Sequence, residues 1–127
     1  MKQIITTDKA PKAVGPYSQA VAIAGKELMF CAGQIPLDPD TQKMVEGDVG
    51  VQTRRALDNV QGLLESSGTR LEHVVKTTVF LTTMSDFAAM NEVYTQYFPT
   101  DPPARSAVAV KELPLGAKVE IEVIAYR

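Results

Sequence analysis

The chain has 127 residues, of which 45% are hydrophobic and 22% charged, with a formal net charge of −2. That length suits one domain, residues 1–127, large enough to bury a core without a metal or disulfide staple. The acidic balance, with Arg54 and Arg55 as the only adjacent basic pair, argues against nucleic acid as the partner.

A single cysteine, Cys31, precludes an internal disulfide and fits a reducing cytoplasm. With one histidine, His73, it cannot make the usual zinc site, so no metal is expected. Asp8, Lys9 and Lys12 interrupt the stretch that a signal peptide would need apolar. No window approaches the roughly 20 apolar residues of a membrane span. The expected location is cytoplasmic.

QIITT (3–7) is a strand candidate, followed by the Pro/Gly-punctuated loop APKAVGPYSQ (10–19). Residues 19–24 and 27–32 read as strands joined in a hairpin at Gly25-Lys26. A polar connection spans 34–48, with a turn at Asp38-Pro39. Val49, Thr53, Ala56, Leu57, Val60, Leu63 and Leu64 then recur at three- and four-residue steps, one face of an amphipathic helix capped by Asp48 and ended by Gly68. HVVKTTVFL (73–81) is β-branched and reads as a strand. Ser85 is placed to cap a second helix bearing Phe87, Met90, Tyr94, Tyr97 and Phe98, stopped by Pro99. Residues 104–111 and 118–126 are the last strands, with a turn around Leu113–Gly116.

This order predicts an α+β two-layer sandwich, a six-stranded mixed sheet with two helices on one face. The last strands carry apolar residues on both faces, and two helices cannot cover both sides of the sheet. An oligomer is therefore expected.

Arg105 stands at the mouth of the uncharged run ARSAVAV. It is either a strand-end arginine paired with a surface carboxylate or a clamp, its planar fork matching a substrate carboxylate. Glu120 and Glu122 alternate with Val119, Ile121 and Val123, so they form a solvated strand face or supply a carboxylate that orients water. If the last two strands pair about Pro114, Arg105 shares the face of Val119, Ile121 and Val123, and Glu120 faces away. Tyr17 in GPYSQA caps the core or donates a hydrogen bond into a pocket. Gly33 in CAGQIP is a turn glycine or a close approach of ligand to backbone. Asn91, in the second helix, faces a pocket or solvent. Cys31 reads as a small core residue, His73 as a satisfied histidine, and LDPD (37–40) as a turn without calcium-loop spacing. No GxGxxG, P-loop, GxSxG or HExxH pattern occurs.

GPYSQA, CAGQIP, LDNV, VVKTTVFL, NEVY, QYF, PARSAV and VEIEVIA occur in that order. Over nearly the whole chain the set resembles the RidA family, also called YjgF or endoribonuclease L-PSP. The resemblance implies a chorismate-mutase-like subunit in a homotrimer, with sheets forming a central barrel and active sites in clefts between subunits. It implies hydrolysis of 2-imino acids, such as 2-iminopropanoate and 2-iminobutanoate, to 2-keto acids and ammonia, without a cofactor. Carried over by motif, Arg105 binds the substrate carboxylate, Tyr17 lines the pocket near the imine, and Gly33 presents its backbone to the ligand. Asn91 is a pocket residue and Glu120 positions the attacking water. Many members have Ser where this chain has Ala32, and Cys or Thr where it has Ala107. Ala32 removes a hydroxyl from the pocket edge, while Ala107 keeps a backbone N–H able to bind the carboxylate. The alternative is a non-catalytic module that binds small carboxylates, or a regulator using the same cleft. A ribonuclease, an activity also ascribed to relatives, would need the basic stripe that is missing here.

Overall fold

The computed structural model describes residues 2–127. Eight principal elements follow one another: β1 (Gln3–Ile5), β2 (Ala20–Ala22), β3 (Leu28–Phe30), α1 (Val49–Ser66), β4 (Val74–Leu81), α2 (Phe87–Tyr97), β5 (Ala104–Ala109) and β6 (Val119–Tyr126). No helix among the described residues is long and apolar enough to cross a membrane.

The termini of α1 follow from its sequence. Asp48 accepts from the Val51 amide at 3.0 Å, satisfying one of the orphan N–H groups of the first turn. At the other end Gly68 adopts φ +79°, and the Thr69 amide reaches back to the Leu64 carbonyl at 2.9 Å, closing the helix as a Schellman motif. The second helix starts differently from expectation. Thr83, not Ser85, supplies the side-chain cap, accepting from the Ser85 amide at 3.2 Å at the head of a short 3₁₀ turn that leads into α2. Thr83 is the extended residue just before the turn, which is the geometry a cap requires.

The strands pair as a four-stranded sheet in the order β3-β6-β4-β5 and a two-stranded β1-β2 ribbon. A parallel bridge from Ser18 to Ala104 joins the ribbon to β5, so the six expected strands form two linked sheets. Two expected hairpins do not form. β2 pairs with β1, and β3 pairs with β6. β5 and β6 do not pair with each other, because β4 lies between them. The crossover β4-α2-β5 sets β5 parallel to β4, and β6 takes the other edge of β4, antiparallel. β4 can accept neighbours on both sides because it is long and β-branched.

Both helices cover one face of the larger sheet. The core there comprises Leu57, Val60 and Leu64 of α1, Met90 and Tyr94 of α2, Val79 and Leu81 of β4, and Val119, Ile121 and Val123 of β6. The opposite face carries no helix. Phe30 is 73% exposed and Val108 44%, and Thr78, Phe80, Glu120 and Glu122 lie on the same side by register.

Candidate active site

Arg105 enters β5 directly opposite Thr77 of β4. Thr77 is fully buried, so this register turns both side chains toward the helices. The guanidinium meets one stripe of α2. Phe87, Asn91 and Tyr94 recur at i, i+4 and i+7 and so share a helix face. Nη1 of Arg105 donates to Oδ1 of Asn91 at 2.6 Å. Its central carbon lies 4.8 Å from the Tyr94 ring centroid, 5.4 Å from that of Phe87 and 5.8 Å from that of Tyr17. Among the described residues no carboxylate pairs with it within 4.0 Å. Burial pulls its pKa below the ordinary value, and the facing Tyr94 and Tyr17 oppose that shift. Arg105 is thus a half-buried cation held by an amide and three ring faces, not a surface arginine in an ion pair.

The loop bearing Tyr17 is fastened by the residues after it. The Ser18 amide donates to the Pro103 carbonyl at 3.1 Å and its hydroxyl to the Pro102 carbonyl. Gln19 accepts from the Thr7 amide at 2.7 Å and donates to the Pro11 carbonyl at 2.6 Å. Ser18 therefore anchors the loop to the start of β5, Gln19 ties it to the segment after β1, and Tyr17 is held beside Arg105. The neighbouring Gly15 approaches as closely, since a Cβ there would lie 3.8 Å from Nη2 of Arg105.

β5 is an edge strand, and its alternation fixes what it offers. The Pro103 carbonyl points outward to Ser18, while the Val110 amide points inward to Leu81 at 2.7 Å. Polar backbone groups alternate sides along a strand, so the amides of Arg105 and Ala107 point away from β4, that of Arg105 toward the Ser18 bridge and that of Ala107 toward the open edge. The Ala107 side chain stands opposite Val79 and packs on the core.

Glu120 and Gly33 lie elsewhere. The segment after β3 crosses β6 at Gln34, whose amide donates to Ile121 at 2.8 Å and whose carbonyl accepts from it at 3.0 Å. Gly33 is thereby pressed against Glu120. A Cβ on Gly33 would overlap a carboxylate oxygen and lie 2.9 Å from Cδ. Ala32 is exposed beside them and accepts from Nε2 of Gln34 at 3.2 Å. Glu120 faces Phe80 across β4, on the side without helices.

A single chain therefore brings Arg105, Asn91, Tyr17 and the Ala107 amide into one group, and Glu120, Gly33 and Ala32 into another, on opposite faces of one sheet. Two hollows lie apart from both groups. One of about 850 Å³ is lined by Lys2, His73, Tyr97 and Tyr126 among others, and one of about 640 Å³ sits by the starts of α1 and α2. Cys31 is half-buried against the core, and burial raises its thiol pKa. His73 stacks on Tyr126 and bonds the Thr69 hydroxyl at 3.0 Å. The LDPD segment is a turn in which Asp38 accepts from the Asp40 amide at 2.8 Å. Among the described residues no group of three or more His, Cys, Asp or Glu side chains converges as a metal site.

Sequence reasoning took Phe87 and Tyr94 as core residues and passed over Thr77. Their role around Arg105 had one sequence signal, the F-x₃-N-x₂-Y spacing that aligns them with Asn91.

Comparison with known proteins extends over nearly the whole chain. The family model for endoribonuclease L-PSP matches residues 7–127. The human 2-iminobutanoate/2-iminopropanoate deaminase is 42% identical over 127 residues, covering 100% of this chain and 91% of that protein. The crystal structure of RidA from an Antarctic Psychrobacter superposes with a TM-score of 0.77 at 44% identity, covering 98% of this chain and 99% of the other. The structure of Escherichia coli TdcF with bound serine gives a TM-score of 0.75 at 41% identity, covering 98% of each. The chain belongs to the endoribonuclease L-PSP family, in which the RidA and YjgF proteins also fall.

Proposed function

We propose that the protein is a deaminase of reactive 2-imino acids, hydrolysing substrates such as 2-iminopropanoate and 2-iminobutanoate to the 2-keto acid and ammonia. The observation that carries this reading is Arg105: a half-buried guanidinium with an amide on one nitrogen, aromatic faces around it and no carboxylate partner among the described residues. Such a cation has donors in reserve for an incoming carboxylate. The name of the human relative and the serine held by TdcF, itself a small amino-acid carboxylate, support the same class of ligand.

The substrate carboxylate takes the free donors of Arg105 and the outward amide of Ala107. Tyr17 packs beside the imine, and Asn91 steadies the arginine. An imine carbon is already electrophilic, so the site need only place a water. Glu120 accepts a proton from that water as its oxygen bonds to C2. That proton passes to the nitrogen, giving a tetrahedral carbinolamine; Glu120 then takes the remaining hydroxyl proton to the same nitrogen, the C–N bond breaks, and ammonia leaves as the carbonyl forms. Orientation of this kind is worth several kcal/mol of barrier. No metal or cofactor enters these steps.

The two groups of residues meet only if another copy supplies one of them. A homotrimer is the assembly we adopt: it covers the helix-free face with Phe30 and Val108, and it sets Glu120 and Gly33 of one subunit against the Arg105 edge of a neighbour. We place this enzyme in the cytoplasm. The separation of Arg105 from Glu120, with Ala32 and Ala107 lacking the hydroxyl or thiol common in the family, favours a second reading, a small-carboxylate-binding protein without turnover. Loss of 2-iminopropanoate, generated by an amino-acid oxidase and followed by semicarbazide trapping, separates the two, because only the deaminase accelerates it.

A further inference from the structure

Arg105 carries its charge among rings, and one of them is itself fastened. Tyr94 is fully buried, and its hydroxyl lies 2.7 Å from Oγ1 of Thr77. Thr77 is the register partner of Arg105 on the neighbouring strand. The three residues thus close a triangle: β4 sets Thr77 opposite Arg105, Thr77 holds the Tyr94 hydroxyl, and the Tyr94 ring lies 4.8 Å from the guanidinium carbon, the shortest of its three ring contacts. Asn91, three residues earlier in α2, takes Nη1. One helix therefore fixes both the position of the guanidinium, through Asn91, and the face on which it rests, through Tyr94.

We infer that Tyr94 is a positioning residue for the carboxylate clamp, held by Thr77 so that its ring sets the plane in which Arg105 presents its free N–H groups. Tyr94 touches no substrate, being sealed beneath the guanidinium. A bidentate pair requires the guanidinium and carboxylate planes to coincide, so a guanidinium free to rotate binds less tightly. The ring face also stabilises the cation where water is excluded. This inference rests on the reading of Arg105 as the substrate clamp.

The test compares Tyr94→Leu with Tyr94→Phe, using turnover of 2-iminopropanoate, calorimetric binding of pyruvate, and the NMR signal of the Arg105 Nε–Hε group. Tyr94→Leu raises KM and the pyruvate Kd about tenfold, between the sizes of an exposed and a fully desolvated cation–π contact, with a smaller change in kcat. Tyr94→Phe keeps the ring face but loses the hydrogen bond to Thr77, so it recovers part of that loss and not the whole; full recovery would remove Thr77 from the inference. The Nε–Hε signal is sharp and slow to exchange in wild type and broadens in Tyr94→Leu. If the leucine variant does not fold, Tyr94→Met takes its place in the same comparison. Unchanged KM and Kd in the folded variant, or a mobile Arg105 signal in wild type, overturns the inference. A loss confined to kcat overturns it too, since Tyr94 would then act in the chemistry. Failure of the deaminase reading looks different: no imine turnover and no pyruvate binding by wild type, with the Nε–Hε comparison still reporting on Tyr94 and Arg105.

Discussion

Arg105 and Glu120 stand on opposite faces of one sheet, Arg105 opposite buried Thr77 toward the helices and Glu120 opposite Phe80 on the bare side. If both serve one reaction, they come from different subunits. Subunits of Arg105→Ala and Glu120→Gln, each inactive alone, should regain a fraction of wild-type turnover when unfolded and refolded together. Mixtures that stay as inactive as their parents would place both residues at a site within one chain.

Gly33 offers a separation of activity from stability. A methyl group there meets the Glu120 carboxylate, which is the mobile end of a side chain and can swing aside. Gly33→Ala should therefore fold with a melting temperature near that of wild type. Displacing the carboxylate by an ångström should lower kcat/KM by about 100-fold. Unaltered kinetics in this variant would remove Glu120 from the reaction.

The Thr77–Tyr94 hydrogen bond is buried on both sides. Thr77→Val or Tyr94→Phe alone leaves a hydroxyl without its partner and should cost about 1–3 kcal/mol in urea unfolding. The double variant should lose less than the sum of the two. Additive losses would mean that the hydroxyls are not coupled.

Burial raises the Tyr94 pKa to about 12, partly offset by the Thr77 bond and the nearby Arg105 charge. The folded pKa thus exceeds the ordinary tyrosine value near 10. The neutral phenol favours the fold fully below that value, and this contribution fades as pH rises from about 10 to about 12. Chemical unfolding across that window should lose about 2 kcal/mol from this group. Tyr94→Phe, which cannot ionise, should show a shallower alkaline decline, and equal slopes would contradict the assignment.

Local features were legible in the sequence because local physics decides them. Asp48 and Gly68 bound α1 as their chemistry requires, and its apolar stripe faces the core except at Leu63, which is 39% exposed at the edge of that stripe. Alternation along each strand set Arg105 and Glu120 on opposite faces on the condition that the last two strands pair about Pro114. The premise of that assignment, a β5-β6 hairpin, was wrong, and the faces agree because β4 stands between the two strands in register with both. Pairing partners depend on contacts distant in sequence, which periodicity does not encode. The same limit hid Thr77 and Tyr94, which read as ordinary β-branched and core residues until the register set them against Arg105.

The most direct measurement is the rate of 2-iminopropanoate hydrolysis by wild type and by Arg105→Ala, with residual imine trapped by semicarbazide and folding verified for both. Imine loss should be accelerated by wild type and slowed about 100-fold or more in Arg105→Ala, whose clamp is gone. Equal rates for the two folded proteins, or no acceleration by wild type, would contradict the proposed function.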